Sequence, residues 1–198
     1  IVEAEAGVML PTLSNSLAQN GLQGGEWAVG IPGTLGGAIY MNAGTGNLSL
    51  AKNLISVKVI NNKTHKKFEI EKKDINFAYR FSSFQRNDLK IISAKLHFEP
   101  NGNLEQLIQT TKNNLKLKRE TQPYHHPSFG SVFKNPENNF AAKLIDEMGL
   151  KGFKIGDAEI STIHSNFIIN TSSASSKDIY KLITVIQQKV LQNKGIFL

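Results

Sequence analysis

Cysteine is absent from the 198-residue chain. Its absence excludes a disulfide framework, a Cys-ligated zinc or iron–sulfur site and a thiolate nucleophile. Long apolar runs are absent too: none reaches the roughly 18 residues that a membrane-spanning helix needs, so no membrane segment is expected. No internal repeat, signal-peptide pattern or low-complexity tract beyond a short Ser-rich loop is visible. Two phosphate-binding signatures are also missing, since no G-x-G-x-x-G opens a helix and no G-x-x-x-x-G-K-[ST] occurs. Acidic residues are in deficit, 16 against 23 Lys and Arg, which leaves a formal net charge of +7. A basic surplus favours polyanionic partners: nucleic acid, phosphorylated metabolites or acidic membranes. The basic residues gather at Lys112–Arg119, Lys63–Lys67 and Lys72–Lys73, which read equally well as a solvated helix end and two charged turns.

What is present is an ordinary globular balance, 40% hydrophobic and 20% charged, long enough for one large or two small domains. Val2, Ala4, Ala6 and Val8 alternate with Glu3 and Glu5, which predicts a strand. Pro11 opens a helix that stops at Asn20-Gly21, with Leu13 and Leu17 on one face. Leu54–Ile60 and Lys67–Ile70 predict a hairpin around Asn61-Asn62-Lys63. Ile91–Phe98 predicts a further strand. Leu104–Glu120 predicts a helix with Lys and Arg at the end where the helix dipole favours them. Thr121–Pro127, with two prolines, is the expected domain junction. Beyond it the pattern predicts a strand at Gly130–Lys134, a helix over Phe140–Met148 closed by Gly149, and a buried strand at Phe167–Asn170. An amphipathic helix over Lys177–Asn193 follows a Ser-rich N-cap. The chain starts mid-pattern at Ile1, and Gly195–Leu198 reads as a strand just beginning; both ends are expected to be those of a fragment.

Three stretches carry the chemistry. Ala28–Gly46 holds six glycines among nineteen uncharged residues. Glycine lets a backbone or a ligand approach closely, and successive free amides suit a phosphate. The same run reads as a tight turn packed on a sheet. Thr34–Met41 inside it predicts a short helix, and Trp27 and Tyr40 flank it, facing either a cofactor or the core. The second stretch is Tyr79-Arg80-Phe81-Ser82-Ser83-Phe84. Its Arg either presents a fixed fork to a carboxylate or phosphate, or lays its stem over apolar surface. The third is Gly130-Ser131-Val132-Phe133-Lys134-Asn135-Pro136. No G-x-S-x-G elbow frames Ser131, so it reads either as a general acid beside a developing carbanion or as a strand serine bonded to backbone. His125-His126 carry no metal expectation, because sequence neighbours seldom share an ion and no carboxylate stands close. His164, just ahead of a buried strand, is better placed for a ligand.

These stretches agree in order and spacing. Gly30-Ile31-Pro32-Gly33-Thr34-Leu35-Gly36-Gly37-Ala38 with Asn42-Ala43-Gly44, then Tyr79-Arg80-x-Ser82-x-Phe84, then Gly130–Pro136, resemble the UDP-N-acetylenolpyruvoylglucosamine reductase (MurB) family. Ala142–Asp146 and Ile155–Ser161 with His164–Asn170 resemble that family's substrate domain. The resemblance implies an α+β fold: part of a FAD-binding domain of the MurB/vanillyl-alcohol-oxidase-like type over 1–122, and a small α+β substrate-binding domain over 123–198. It implies a cytoplasmic flavoenzyme of peptidoglycan precursor synthesis, with FAD and NADPH as cofactors and a UDP-sugar as substrate, and with no nucleic acid, membrane or obligate protein partner.

By match, Arg80 would hold the substrate carboxylate and stabilise the enolate, and Ser131 would protonate the carbanion-like carbon. Gly30, Pro32, Gly33, Thr34, Gly37, Ala38, Asn42, Ala43 and Gly44 would line the cofactor. Tyr79, Lys134, Asn135 and His164 would meet substrate. Hydride addition to an enol ether needs an electron sink, and a carboxylate clamped by a cation supplies one. The family's L-G-x-G-S-N flavin loop and its catalytic Glu find no match here, the Glu lying just beyond the G-I-x-L match at Gly195–Leu198. No long Tyr-bearing insertion precedes the Ser131 motif, which resembles the shorter, second type of the family. The alternatives are another flavin oxidoreductase sharing the FAD domain, and a basic nucleic-acid-binding protein.

Overall fold

The computed structural model describes all 198 residues, which form two compact units, Ile1–Lys116 and Leu117–Leu198. No helix is long and apolar enough to cross a membrane.

The first unit opens with β1 (Val2–Glu5) and α1 (Leu10–Gln19). Pro11 sits in the first turn of α1, where its missing N–H costs nothing, and Leu10, Leu13 and Leu17 turn one stripe into the core. A 3₁₀ turn at Glu26–Gly30 then leads into α2 (Leu35–Tyr40). The hairpin β2 (Gly44–Thr45) and β3 (Leu48–Ser49) runs into the single turn α3 (Leu50–Asn53). Next come β4 (Leu54–Asn61), β5 (Lys67–Glu71), the short hairpin β6 (Phe77–Ala78) and β7 (Phe81–Ser82), and β8 (Leu89–Leu96).

The main sheet is antiparallel in the order β1-β8-β4-β5. One face of it is core: Val57, Val59, Ala94 and Leu96 are at most 1% exposed and pack with Leu10, Leu35, Ile39 and Phe84. α2 lies so close to the chain after β1 that a Cβ on Gly36 would stand 2.9 Å from the Ala6 Cβ, and the Gly36 amide donates to the Ala6 carbonyl. Glycine at this position is a packing requirement.

α4 (Leu104–Thr121) carries the chain into the second unit, so the units part within a helix, and the expected junction at 122/123 falls just after its end. The second unit contains β9 (Ser128–Ser131), α5 (Ala141–Glu147), β10 (Lys154–Ile155), β11 (Ala158–Ile160), β12 (Phe167–Asn170) and α6 (Ser176–Lys194). Its sheet is antiparallel in the order β10-β11-β12-β9. Leu182, Ile186 and Val190, four residues apart on α6, pack with Leu144 and Ile145 of α5 and with Ala158, Ile160 and Ile168 of the sheet. α6 begins with a full capping box between Ser175 and Asp178.

The helix ends at Gly195, whose φ of 66° is the left-handed cap conformation. That cap turns Gly195–Leu198 away from the strand expected there. Ile196 and Leu198 fold back on the core instead, and Gln187 Nε2 donates to the Leu198 carbonyl at 2.7 Å.

Candidate active site

The glycine run of the first unit forms a layered wall around α2. Pro32 and Gly37 are exposed, Gly33 and Thr34 half-exposed, Ala43 and Gly44 half-buried, and Gly30, Ala38 and Asn42 buried beneath them. Thr34 caps α2, accepting from the Gly37 amide at 3.3 Å. The Leu35 and Gly36 amides donate to Val8 and Ala6 carbonyls at 2.8 and 2.9 Å. The first amides of α2 are therefore spent on the fold, so of the two readings of the glycine run a phosphate cradle is not made by that helix end. Asn42 is likewise engaged: its Nδ2 donates to the Ala78 carbonyl at 2.9 Å and its Oδ1 accepts from the Ala51 amide at 3.3 Å. It ties the wall to the β6–β7 hairpin. Trp27 is core, donating from Nε1 to the Gly24 carbonyl at 3.1 Å, whereas Tyr40 is exposed.

Tyr79 and Arg80 are the two turn residues of the β6–β7 hairpin, in which Ala78 faces Phe81. Arg80 has φ 52°, a conformation non-glycine residues rarely adopt and one that clusters at functional sites. Its Nη2 donates to the Gly44 carbonyl at 2.9 Å, and its guanidinium lies 5.0 Å from the exposed Tyr79 ring. The rest of the hairpin is fixed against the end of α2. Buried Ser82 donates from Oγ to the Tyr40 carbonyl at 2.7 Å, and Gln85 Nε2 donates to the same carbonyl at 2.9 Å. The structure thus brings Arg80 and Gly44 into contact, and Asn42 to the hairpin's Ala78.

In the second unit, Ser131 is the last residue of the edge strand β9, paired with Phe167 and exposed. Gly130 before it has φ 65°, a left-handed turn that glycine adopts freely, with nothing within 4 Å of a built Cβ. The ladder was expected to continue through Lys134 but stops at Ser131. Asn166 replaces it: its Oδ1 accepts from the Phe133 amide at 3.0 Å, its Nδ2 donates to the Phe133 carbonyl at 2.9 Å, and its own carbonyl accepts from Val132. Asn135 Oδ1 accepts from the Ala141 amide at 3.1 Å, holding the start of α5, while Lys134 is exposed. His164 is half-buried, its ring edge-on to Phe167 at 4.7 Å between centroids. Its Nδ1 accepts from the Asn166 amide at 3.3 Å. Burial, with Lys151 nearby, pushes its pKa below the ordinary histidine value.

Comparison with known proteins decides the family. Residues 122–198 match the family model described as UDP-N-acetylenolpyruvoylglucosamine reductase, C-terminal domain, and residues 1–65 match a FAD binding domain. Over all 198 residues the chain is 74% identical to the UDP-N-acetylenolpyruvoylglucosamine reductase of Prochlorococcus marinus subsp. pastoris (strain CCMP1986 / NIES-2087 / MED4), covering 67% of that protein. The chain belongs to the UDP-N-acetylenolpyruvoylglucosamine reductase family. It is also 48% identical over its whole length to the Prochlorococcus marinus (strain NATL2A) reductase, again covering 67% of it. The crystal structure of the Thermus caldophilus reductase superposes with a TM-score of 0.86 at 34% identity, covering 94% of this chain and 68% of that one. The family's activity is the FAD-dependent reduction of UDP-N-acetylenolpyruvoylglucosamine, an oxidoreductase step of peptidoglycan synthesis. The match over 122–198 separates this reductase from other flavin oxidoreductases that share only the FAD domain.

The residues present fit a flavin cofactor of the family. A Cβ on Gly33 would meet nothing within 4 Å, and one on Gly37 only Thr34 Oγ1 at 3.6 Å. Packing within the chain does not require glycine at either place, so bare backbone there leaves room for a ligand's close approach. The Gly33 and Thr34 amides also donate to no other group of the chain.

Two residues of the reductase were not singled out from sequence. Gln85 lies just past the Arg80 motif, and Asn166 lies within the His164–Asn170 match. An asparagine directly ahead of the apolar run Phe167–Ile169 is the one sequence signal that could have pointed to Asn166. Gln85 carried none.

Proposed function

We propose that residues 1–122 contribute the flavin side of the reductase and 123–198 the substrate side, and that NADPH is the reductant. In this reading the free Gly33 and Thr34 amides hold the cofactor, Gly37 leaves it room for close approach, Pro32, Ala43 and Gly44 lie beside them, and Gly30, Ala38 and Asn42 support the wall from behind. When bound, FAD supplies the hydride chemistry. Every other requirement falls to side chains of the chain.

The enolpyruvyl ether takes hydride at its terminal carbon, and the electron pair of the double bond moves to the carboxylate-bearing carbon. Arg80 binds that carboxylate, so the charge delocalised into it in the transition state meets a fixed guanidinium. One Nη2 hydrogen is given to Gly44, which orients the fork and leaves its other N–H groups for two carboxylate oxygens. Ser131 then gives its hydroxyl proton to the carbon that bears the negative charge. Tyr79, Lys134, Asn135 and His164 contact the substrate. A His164 kept neutral by its surroundings presents Nε2 to it, because Nδ1 already accepts a hydrogen bond. The basic surplus serves a diphosphate, a carboxylate and NADPH. The partners are these small molecules, with no nucleic acid, membrane or obligate protein among them. The setting is the cytoplasm, where cell-wall precursor supply bears on cell shape and division.

The observation that carries this reading is Arg80 itself: a charged residue held at φ 52° and anchored to the glycine wall through Gly44. Arg80→Ala in the full-length enzyme is expected to lower kcat/KM for the UDP-enolpyruvyl sugar about a hundredfold, the scale of one lost electrostatic stabiliser. Flavin reduction by NADPH, followed as bleaching of the flavin absorbance, should keep its rate. An unchanged kcat/KM would remove Arg80 from the reaction.

A further inference from the structure

We propose that Gln85 is a positioning residue for the reduction: its side-chain amide locks the Arg80 turn to the end of α2, and so sets where the guanidinium meets the substrate carboxylate. The inference rests on the assignment of Arg80 to that carboxylate.

Gln85 Nε2 donates to the Tyr40 carbonyl at 2.9 Å and to the Arg80 carbonyl at 3.2 Å, with Met41 Sδ a further 3.7 Å acceptor. Tyr40 is the last residue of α2, where backbone carbonyls lack helical partners. The Arg80 carbonyl belongs to the left-handed turn residue. One amide group therefore spans the helix that carries the glycine wall and the turn that carries the cation. Its orientation follows from chemistry, since both main neighbours are carbonyl oxygens and only the NH₂ end can face them. The bridge has a firm base: Phe84, immediately before Gln85, is 2% exposed in the core, and the Ser83 amide donates to the Asn76 carbonyl at 2.9 Å.

Arg80 occupies a conformation that its surroundings must impose. The contacts that hold it are few: Gly44 and the Tyr79 ring on the side chain, Gln85 on the carbonyl, and the hairpin's own pairing. Ser82 also docks the hairpin on Tyr40, but it does not touch Arg80. Gln85 is thus the side chain that couples the Arg80 backbone to α2. Without it the hairpin stays docked through Ser82 and the turn is free to shift.

The test uses the full-length enzyme with Gln85→Glu, Gln85→Ala and Arg80→Ala as a reference. Glutamate is nearly isosteric but, when ionised, offers no donor and turns negative charge toward two carbonyl oxygens. Gln85→Glu is expected to lose about tenfold in kcat/KM, the worth of one or two hydrogen bonds, while NADPH reduces its flavin within twofold of the wild-type rate. Calorimetric affinity for the UDP-enolpyruvyl sugar should fall by a similar factor, and that for UDP-N-acetylglucosamine, which lacks the carboxylate, should not. The deficit should shrink as pH falls from 8 toward 4, because a carboxyl facing two carbonyl oxygens is favoured in its protonated form, which regains a donor. Gln85→Ala should show a smaller loss that does not vary with pH, and it carries the test should Gln85→Glu fail to fold. Wild-type kcat/KM in both Gln85 variants, with Arg80→Ala impaired, overturns the positioning role alone. Equal slowing of both half-reactions also overturns it, marking Gln85 as merely structural. An unimpaired Arg80→Ala removes the Arg80 assignment and this inference with it.

Discussion

Arg80 and Ser131 are held in place by two different kinds of structure. Arg80 occupies a two-residue turn at φ 52°, kept there by hydrogen bonds accepted by single carbonyls at Gly44, Tyr40 and Arg80 itself. Ser131 ends a strand that pairs with β12, and the chain beyond it is clamped at Phe133 by both ends of the Asn166 amide. A strand and a buried clamp fix the backbone redundantly and leave the hydroxyl exposed. A strained turn has less redundancy, so its geometry depends on individual bonds. On the roles proposed for them, the cation that meets the carboxylate is set by local side-chain chemistry, and the proton donor by sheet register.

The largest expected effect on stability falls on the clamp. Asn166→Ala leaves the buried Phe133 amide and carbonyl without partners, at a cost of about 3 kcal/mol for two such groups. Thermal unfolding should report it as a Tm lowered by several degrees, and an unchanged Tm would mean that the Ser131 segment is fixed by other contacts. Next comes Gly44, the anchor of Arg80. A Cβ there would run into the Leu48 carbonyl oxygen and stand 2.9 Å from the Ser49 Cα. Gly44→Ala should cost about 2 kcal/mol in overpacking and lower kcat/KM as well, since the carbonyl that orients Arg80 moves. Gly33→Ala is the contrast, because its Cβ meets nothing within 4 Å. Its Tm should stay within a degree or two while FAD affinity falls severalfold. Unaltered FAD affinity would leave Gly33 with no part in the cofactor wall.

The smallest effect is on pH dependence. His164 sits below its ordinary pKa because of burial, with Lys151 adding to the shift. The unfolded chain therefore takes up this proton more readily than the folded one. The histidine's contribution to stability is complete above the unfolded value near 6.5 and is lost as pH falls through the lower folded value. Between pH 7.5 and 5, Tm should fall less steeply in His164→Gln than in the wild type. Matching slopes would show that His164 titrates alike in both states.

Much of this was legible in the residues. Alternation around Glu3 and Glu5, the Leu13–Leu17 spacing and the Ser-rich N-cap ahead of Lys177 each marked an element, because local periodicity and capping act over few residues; the Thr34 cap and the Ser175–Asp178 box came only with the structure. The end of β9 was misjudged by three residues, since its successor pairs with a side chain thirty-three positions away. The short pairs β6–β7 and β10–β11 were missed because two- and three-residue strands leave no period to read. Gly195–Leu198 looked strand-like by hydropathy, but the left-handed cap at Gly195 redirects it. At the site, the motifs named Arg80, Ser131 and the glycine wall. They did not show that the Leu35, Gly36 and Gly37 amides are already spent, nor that Gln85 bridges Tyr40 and Arg80. Those facts depend on which carbonyls the fold brings near, and spacing does not encode them.

The central claim is that Ser131 acts on the substrate after the flavin has been reduced. It is tested most directly by stopped-flow on full-length Ser131→Ala, with the two half-reactions measured separately. Flavin bleaching by NADPH should proceed at the wild-type rate. Return of the oxidised flavin absorbance on mixing the reduced enzyme with UDP-enolpyruvyl sugar should be slower by about 10²–10⁴, the range for a lost general acid. Reoxidation at the wild-type rate, or equal slowing of both half-reactions, would contradict the assignment.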